Sequence, residues 1–315
     1  MGNSGGHSAG RETDGLVTGA TLIAGPTASG KSAAALELAE RTGGVIVNTD
    51  SMQGYAVLEI VTARPGPEEL SRVPHELYGH VHPSSPYSTG AWLRDVKRLY
   101  ESGAFAQRPP VFVGGTGLYF RALAEGLSDM PEIPPNVRDR WRYELNERGA
   151  ARLYRILMRE DPRAALSINP SDGQRLVRAL EVLEHSGRSI LDWQAERGRP
   201  LIDRASARFL VVEPDRAELV GRIEQRFDGM IARGALAEVE RLLALKLDPQ
   251  LPAMKAIGVR ELAAVLDGTM SQAQAIERAK IATRQYAKRQ TTWFRNQFGP
   301  EWQRVSTLAA LPPFA

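Results

Sequence analysis

The sequence predicts an α/β fold, a parallel sheet flanked by helices, with an inserted all-helical domain. Short apolar runs rich in β-branched residues alternate with helical patterns, which is typical of a parallel sheet covered by helices. The strand pattern stops after a proline cluster that ends at Pro135, and about seventy residues of helical pattern follow. An apolar run at Phe209 then resumes the strand pattern. We therefore expect one α/β core interrupted by a helical domain.

Local patterns of apolar, capping and turn residues predict the individual elements. Strands are expected over residues 20–24, 45–48, 111–113 and 209–212. In the core, helices are expected over 32–40, over 216–245 with Gly234 as the candidate break, and over 271–297. In the inserted domain, Ser171 and Gln174 form a capping box for a helix that ends before Gly187.

These elements divide the chain into three parts. A polar, Gly- and Ser-rich tail over 1–16 is expected to be disordered. The α/β core occupies 17–130 and 207–315 and ends in basic helices, and the inserted helical domain occupies 131–206.

Composition excludes several classes of protein. The 315 residues contain no cysteine, which excludes disulfides, cysteine nucleophiles, zinc knuckles and iron–sulfur clusters. No run approaches the roughly 18 apolar residues of a membrane span, and no signal-peptide core follows the start. We therefore expect a cytoplasmic protein that does not contact a membrane.

Positive charge is concentrated near the C-terminus. The net charge is only +3, but seven basic and two acidic residues lie between Ser271 and Arg304, which indicates a polyanionic partner. On the predicted last helix, five residues fall within about 80° of one another: Lys280, Arg284, Lys288, Thr291 and Arg295. Tyr286 and Trp293 take another face. The basic stripe is either a nucleic-acid contact or a solvated face.

A phosphate-binding motif follows the first strand. The motif G-x-x-x-x-G-K-[ST] is matched by Gly25, Pro26, Thr27, Ala28, Ser29, Gly30, Lys31 and Ser32. In such a P-loop, backbone N–H groups and a helix N-terminus face the phosphates, the lysine adds positive charge, and the serine hydroxyl binds Mg²⁺. The motif therefore predicts a P-loop NTPase-like core with Ser32 as a metal ligand. A glycine turn without a ligand is the alternative.

Two further strand ends carry polar groups. Asp50 follows the second strand, and Thr116 follows the third in Val113-Gly114-Gly115-Thr116-Gly117. Ligands bind at the carboxyl edge of open α/β sheets, so both side chains are candidates for the site. The alternatives are a turn aspartate and a tight turn before a helix.

Six segments, in this order, resemble the tRNA dimethylallyltransferase (tRNA isopentenyltransferase) family: GPTASGKS, NTDSMQGY, VGGTGLYFRAL, SDGQRLVRALEV, RIEQRFDGM and KRQTTWFR. The resemblance extends from about Leu22 to Phe298. It implies a P-loop core with an inserted helical domain and transfer of a dimethylallyl group from dimethylallyl diphosphate to N6 of the adenosine 3′-adjacent to the anticodon. The loop would then bind the diphosphate, with Mg²⁺, and not ATP.

The resemblance also implies roles for individual residues. Asp50 matches the family's general base, Thr116 a hydroxyl near the reacting groups, and Arg226 the arginine on the diphosphate, which Arg222 can share. These roles suit the chemistry, because negative charge develops on the departing diphosphate and the attacking N6 must lose a proton.

Several segments match those that touch the tRNA anticodon stem-loop in the family. The matching residues are Asp50, Ser51, Met52, Gln53, Thr116, Arg138, Gln174, Arg175, Leu176, Val177, Arg178, Lys255, Arg260, Lys288, Arg289, Gln290, Trp293 and Arg295. A stacked base cannot present N6 to a carboxylate, so the adenosine is expected to swing out of the loop. By family analogy the protein is expected to be a monomer.

Two positions depart from the family pattern, and two other functions stay open. Val61 stands where the family has glycine, and Val259 replaces a common aromatic residue. A P-loop small-molecule kinase would use the same loop for ATP. An RNA-binding switch would hydrolyse a nucleotide and modify nothing. Neither alternative predicts the GGTGLYF and QRLVRALE segments together.

Overall fold

The computed structural model describes residues 16–196 and 198–307. The chain divides into two compact units: a sheet unit, up to Ala124 and from Pro200 onward, and a helical unit, Glu125–Arg199. The predicted tail over 1–16 lies outside the described residues except for Leu16, whose backbone N–H donates to the Leu201 carbonyl at 3.1 Å.

Six strands in the described part of the chain form one parallel sheet. They are β1 (Thr21–Ala24), β2 (Val45–Asn48), β3 (His75–Glu76), β4 (Pro110–Gly114), β5 (Arg208–Val212) and β6 (Gln303–Val305). Their order is β3-β2-β4-β1-β5-β6, and every pairing is parallel. The predicted α/β class is therefore confirmed. The two edge strands, β3 and β6, were not predicted, because they are short and carry polar residues.

The helices of the sheet unit cover both faces of the sheet or extend its carboxyl edge. They are α1 (Lys31–Thr42), α2 (Pro67–Arg72), α3 (Thr89–Glu101), α4 (Gly117–Glu125), α9 (Arg216–Ala232), α10 (Ala235–Ala244), α11 (Val259–Leu266) and α12 (Gln272–Gln297), with a 3₁₀ turn at Pro252–Lys255. Gly234 adopts a φ of 95° between α9 and α10, so the predicted break there is confirmed. None of the described helices is both long and apolar enough to cross a membrane.

The central strands are buried on both faces, which fixes where their carboxyl ends lie. Leu22 and Phe112 pack on one side of the sheet, and Ile23 and Val111 pack on the other. Burying one such side chain stabilises the fold by about 1.5–3 kcal/mol. The Trp92 indole donates to the Asn48 carbonyl at 2.8 Å and so ties α3 to the end of β2.

The helical unit contains α5 (Pro135–Glu160), α6 (Pro162–Ser167), α7 (Gly173–Ser186) and α8 (Ile190–Ala195). Helix α7 begins at Asp172, whose carboxylate accepts the Arg175 N–H, whereas Ser171 hydrogen-bonds Asn169. The predicted Ser171 capping box is therefore wrong, and Asp172 is the cap. Gly187 ends the helix with a φ of 66°, as predicted.

The helical unit, Glu125–Arg199, begins and ends several residues before the predicted domain, 131–206. Leu201 and Ile202 donate backbone N–H groups to the Leu123 carbonyl at 3.0 and 3.2 Å, and Asp203 donates to the Val17 carbonyl at 2.9 Å. These bonds attach the segment before β5 to the sheet unit.

Candidate active site

The phosphate-binding loop folds between β1 and α1. Ala28 and Gly30 have φ angles of 64° and 90°, and the Ser29 N–H donates to the Pro26 carbonyl at 3.2 Å. A Cβ on Gly25 would lie 2.8 Å from the Val212 carbonyl oxygen, so only glycine fits beside β5. The loop therefore leaves the N-terminus of α1 directed at an anion-sized space.

Lys31 is buried beneath this loop. Its ammonium donates to the Pro26 carbonyl at 3.1 Å. Burial lowers the pKa of Lys31 to about 8, an effect that Asp50 opposes and Arg226 reinforces. A desolvated ammonium bonded to a neutral oxygen is well placed to receive a negatively charged ligand.

Two arginines from α9 reach the loop. The Arg226 guanidinium donates to the Thr27 hydroxyl and to the Thr62 carbonyl, both at 3.1 Å. Burial lowers the pKa of Arg226, and the nearby Asp50 charge partly offsets this. Arg222 donates to the Ser29 carbonyl at 3.0 Å but also pairs with Glu218 on its own helix. Arg226 is thus the arginine held by neutral oxygens alone.

Asp50 lies at the carboxyl end of β2, next to β4. Its backbone N–H donates to Asn48 Oδ1 at 2.8 Å, and its Oδ1 accepts the Met52 N–H at 3.0 Å. Its Oδ2 lies beside Gly115, where a Cβ would come within 3.3 Å of it. The carboxylate is therefore fixed through one oxygen, and the other oxygen is left for a ligand.

The glycine-rich end of β4 packs against the end of β2 and against α12. A Cβ on Gly114 would lie 2.1 Å from the Thr49 carbonyl, and one on Gly117 would lie 2.1 Å from the Trp293 ring. The Thr116 hydroxyl accepts the Ser51 N–H at 3.0 Å. Thr116 is thus hydrogen-bonded to the segment that carries Asp50.

Gln290 connects the phosphate-binding loop to the glycine-rich loop. Its side-chain oxygen accepts the Thr27 N–H, and its amide donates to the Gly115 carbonyl, each at 2.9 Å. The side chain is buried. It was predicted only as a tRNA contact. Its hydrogen bonds hold the two loops together, a structural role that the sequence did not indicate.

These elements enclose a cleft of about 380 Å³ within the sheet unit. Its polar lining includes Thr27, Lys31, Ser32, Asp50, Ser51, Gln53, Arg226, Lys255 and Arg289, and the predicted residues Ala28 and Met52 also line it. An apolar wall is formed by Val61, Ile223, Phe227, Met230 and Ile257. The structure thus brings most of the predicted catalytic and diphosphate-binding residues to one cavity. The other five, Gly25, Pro26, Ser29, Gly30 and Thr116, do not line it.

The predicted basic stripe on α12 is largely occupied by ion pairs. Lys280 lies 2.7 Å from Asp228 and Arg284 lies 3.1 Å from Glu224, both on α9. Arg295 pairs with Glu213 at the end of β5. The stripe is therefore not the free basic face that helical spacing predicts.

A second surface of α12 stays open. Lys288 and Arg289 are exposed and border a groove of about 500 Å³, which we call the α12 groove. It is lined by Gln285, Lys288, Arg289, Thr292, Trp293, Asn296 and Gln297. Basic side chains and the Trp293 indole therefore line the same groove.

The remaining predicted contacts divide by exposure. Lys255 and Arg260 are exposed in the sheet unit. In the helical unit, Gln174 and Arg175 are exposed and Arg178 is half-buried, and Arg138 donates to the Ile133 carbonyl at 3.3 Å. Leu176 and Val177 are buried in the core of this unit. Any RNA contact by this turn of α7 therefore falls to its exposed neighbours.

Both departures from the family pattern are accommodated by packing. Val61 is not among the residues with positive φ, and its side chain joins an apolar cluster with Phe227. Val259 is buried in the same cluster. The Val61 N–H donates to Glu238 at 2.9 Å, and Glu238 is a buried residue that the sequence did not indicate.

Comparisons with known proteins agree on one family. A family model described as IPP transferase matches residues 53–297, and one described as isopentenyl transferase matches 18–77. A tRNA dimethylallyltransferase of Mesorhizobium japonicum is 70% identical over 93% of this chain and 91% of its own length. One of Chelativorans is 61% identical over 92% of this chain and 99% of its own.

Solved structures agree with the sequence relatives. A tRNA isopentenylpyrophosphate transferase of Bacillus halodurans aligns with a TM-score of 0.63 and 31% identity, over 90% of this chain and 89% of that one. A eukaryotic dimethylallyltransferase acting on tRNA aligns with a TM-score of 0.77 and 27% identity, over 92% and 75% of the two chains.

The fold and the phosphate-binding motif define a P-loop protein with a cleft at the carboxyl edge of its parallel sheet. The comparisons make the family specific: the chain belongs to the tRNA dimethylallyltransferases, and it is a transferase that modifies tRNA by prenyl transfer.

Proposed function

We propose that this enzyme transfers the dimethylallyl group of dimethylallyl diphosphate to N6 of the adenosine 3′-adjacent to the anticodon. One observation carries the proposal. A single cleft is lined by Lys31 and Arg226, cations that suit a diphosphate, and by Asp50, a carboxylate that can accept a proton. Family membership supports the same reaction.

The loop side of the cleft acts on the leaving group. Breaking the allylic C–O bond puts negative charge on the diphosphate, and donors that bind this charge more strongly than the substrate's own charge accelerate the step. The Lys31 ammonium and the Arg226 guanidinium are held by neutral oxygens. Neither cation hydrogen-bonds a carboxylate in the described part of the chain, so both are available to bind the departing group.

The part of the cleft at the end of β2 acts on the nucleophile. The exocyclic N6 of adenine must lose a proton as the C–N bond forms, and a positioned carboxylate accelerates such a step by typically 10²–10⁴-fold. Asp50 Oδ1 is fixed by the Met52 N–H, which leaves Oδ2 to accept the proton. The Thr116 hydroxyl holds the adjacent Ser51 backbone.

The cleft suits a Mg²⁺ ion that arrives with the diphosphate. The Ser32 hydroxyl lines it, and hydroxyl and phosphate oxygens are ligands that Mg²⁺ binds at such loops. Among the described residues, no group of three His, Cys, Asp or Glu side chains forms a metal site of its own. When bound, Mg²⁺ would neutralise charge on the diphosphate oxygens.

The proposal that the enzyme binds tRNA rests on exposed basic side chains and on an aromatic ring. Lys288, Arg289 and Trp293 border the α12 groove, and cations beside an aromatic surface suit phosphates and unstacked bases. The adenosine would leave the stack to reach the cleft. By analogy with the family we propose a monomer, and we propose the cytoplasm as its compartment because tRNA is found there.

The decisive experiment gives the enzyme an anticodon stem-loop, dimethylallyl diphosphate and Mg²⁺, with ATP in a parallel tube. We expect the RNA to gain the mass of one five-carbon group in the first tube only. A stem-loop with guanosine in place of the target adenosine is the control and should stay unchanged. Unmodified RNA, with ATP consumed in the second tube, would contradict the proposal and favour the kinase or the nucleotide-hydrolysing switch.

A further inference from the structure

Glu238, on α10, is a buried acid that the mechanism above does not use. Only 1% of its surface is exposed. Its Oε2 accepts the N–H groups of Glu59 and Ile60 at 2.9 and 2.7 Å, and its Oε1 accepts that of Val61 at 2.9 Å. Three consecutive backbone donors thus converge on one carboxylate.

No ion pair to Glu238 is found in the part of the chain that the structure describes, so these amides are what stabilises its charge. A buried carboxylate without such donors would be strongly destabilising. The bonds are charge-assisted, and both oxygens are engaged, so they fix the direction of the turn as well as its position.

The turn held by Glu238 is connected to the phosphate-binding loop through Arg226. The next carbonyl, that of Thr62, accepts the Arg226 guanidinium at 3.1 Å and the Gln53 amide at 2.9 Å. The other arm of Arg226 donates to the Thr27 hydroxyl at 3.1 Å. A chain of hydrogen-bonded groups therefore joins Glu238 to the loop without any direct contact between them.

We propose that Glu238 is a positioning residue that holds the Glu59–Val61 turn so that the Thr62 carbonyl orients Arg226 toward the diphosphate. The inference rests on the proposed function, because it takes the diphosphate to bind at the loop. A guanidinium that donates to two fixed oxygens loses little freedom when an anion arrives, and such pre-organisation strengthens binding.

The test is Glu238→Gln, which keeps the shape of the side chain but turns an NH₂ group toward backbone donors. We expect about tenfold weaker binding of inorganic pyrophosphate, with a comparable fall in transfer rate. The matched control is Val239→Ala, a buried neighbour on the same helix. It should lower Tm without changing pyrophosphate affinity.

A double-mutant cycle separates positioning from general destabilisation. If Glu238 acts through Arg226, Glu238→Gln will add little to the loss already caused by Arg226→Gln, because coupled residues are not additive. Independent, additive losses would overturn the inference, and so would a pyrophosphate affinity of Glu238→Gln equal to that of Val239→Ala.

Hydrogen exchange in the wild-type protein tests the same link without relying on a variant that folds. Saturating pyrophosphate should slow exchange of the Glu59, Ile60 and Val61 amides more than that of buried amides in β5. Equal slowing in both places would overturn the inference. Wild-type protein that binds pyrophosphate but leaves RNA unmodified would instead overturn the proposed function, so the two failures are distinguishable.

Discussion

The cations at the phosphate-binding loop and those along the inner face of α12 are of the same types but have different partners. Lys31 and Arg226 donate to the Pro26, Thr27 and Thr62 oxygens, all of them neutral. Lys280 and Arg284 donate to carboxylates on α9. The first pair lies in the cleft, and the second pair joins two helices.

This difference teaches how to separate a ligand-binding cation from a structural one. A carboxylate already neutralises its partner, so an incoming anion gains little there. A cation held by carbonyl and hydroxyl oxygens has no carboxylate hydrogen-bonded to it and is also partly desolvated, which strengthens its attraction for an anion while it is protonated. The α12 stripe looks basic in the sequence, yet three of its four cations are paired with carboxylates.

The largest expected effect tests whether Asp50 is a base or only a counterion of the loop cations. The Asp50 charge raises the pKa of both Lys31 and Arg226 but also repels an anion, so the two effects of removing it oppose each other and pyrophosphate affinity should change little. Loss of the base should nevertheless slow transfer by about 10²-fold or more. Single-turnover rates and pyrophosphate affinity of Asp50→Asn measure the two effects.

A charge-neutral control for this variant is Ser51→Ala, which removes a neighbouring hydroxyl and leaves the carboxylate in place. It should affect transfer far less. If Asp50→Asn transfers at the wild-type rate, or if its rate falls only in proportion to lost pyrophosphate affinity, the assignment of Asp50 as the base is wrong.

The next effect in size comes from the lysine of the loop. We expect Lys31→Met to weaken pyrophosphate binding by about tenfold or more, the usual value of a hydrogen bond to a charged group. Because the pKa of Lys31 is about 8, the ammonium is charged below that pH and neutral above it. Wild-type affinity should therefore fall as pH rises through about 8.

Pyrophosphate also changes its protonation with pH, so the informative quantity is the difference between wild type and Lys31→Met. That difference should be large at pH 7 and should shrink above pH 8. A constant difference across this range would mean that Lys31 stays charged in the free protein, and the depressed pKa would then be wrong.

Features encoded by neighbouring residues were predictable from the sequence. The loop from Gly25 to Ser32 is one contiguous motif, and Gly234 and Gly187 end helices through their own backbone conformation. Asp172, and not Ser171, caps α7, because two adjacent residues can both cap and the choice depends on which oxygen reaches the Arg175 N–H.

Features that depend on distant partners were not predictable. Glu238 looks like an ordinary acid of an amphipathic helix, and its role depends on an amide 179 positions earlier in the chain. Lys280, Arg284 and Arg295 look like one basic stripe, but their carboxylate partners lie 52, 60 and 82 positions earlier. Helical spacing gives the face of a side chain and does not give what lies opposite.

A smaller effect distinguishes the two surfaces of α12. Lys288→Ala should weaken stem-loop binding and reduce the slope of log affinity against log salt by about one, because one phosphate contact is lost. Arg295→Ala should change the slope less, since Arg295 is paired with Glu213, a carboxylate that it shares with Arg304. Binding measured between low and moderate salt gives both slopes. Equal changes would show that the ion pair opens to meet RNA.

The smallest effect is expected where a cation is already paired within the fold. Lys280→Met removes an ion pair with Asp228 while keeping the buried part of the side chain, which is 14% exposed. Exposed and half-exposed pairs contribute up to about 1 kcal/mol, so urea unfolding should show a loss no larger than that. Transfer rate and the salt slope should match wild type, because Lys280 does not line the cleft or the α12 groove.

A slope reduced by about one would mean that RNA displaces Asp228 from Lys280. The contrast between free and paired cations would then fail on α12, since a carboxylate partner would no longer mark a cation as structural.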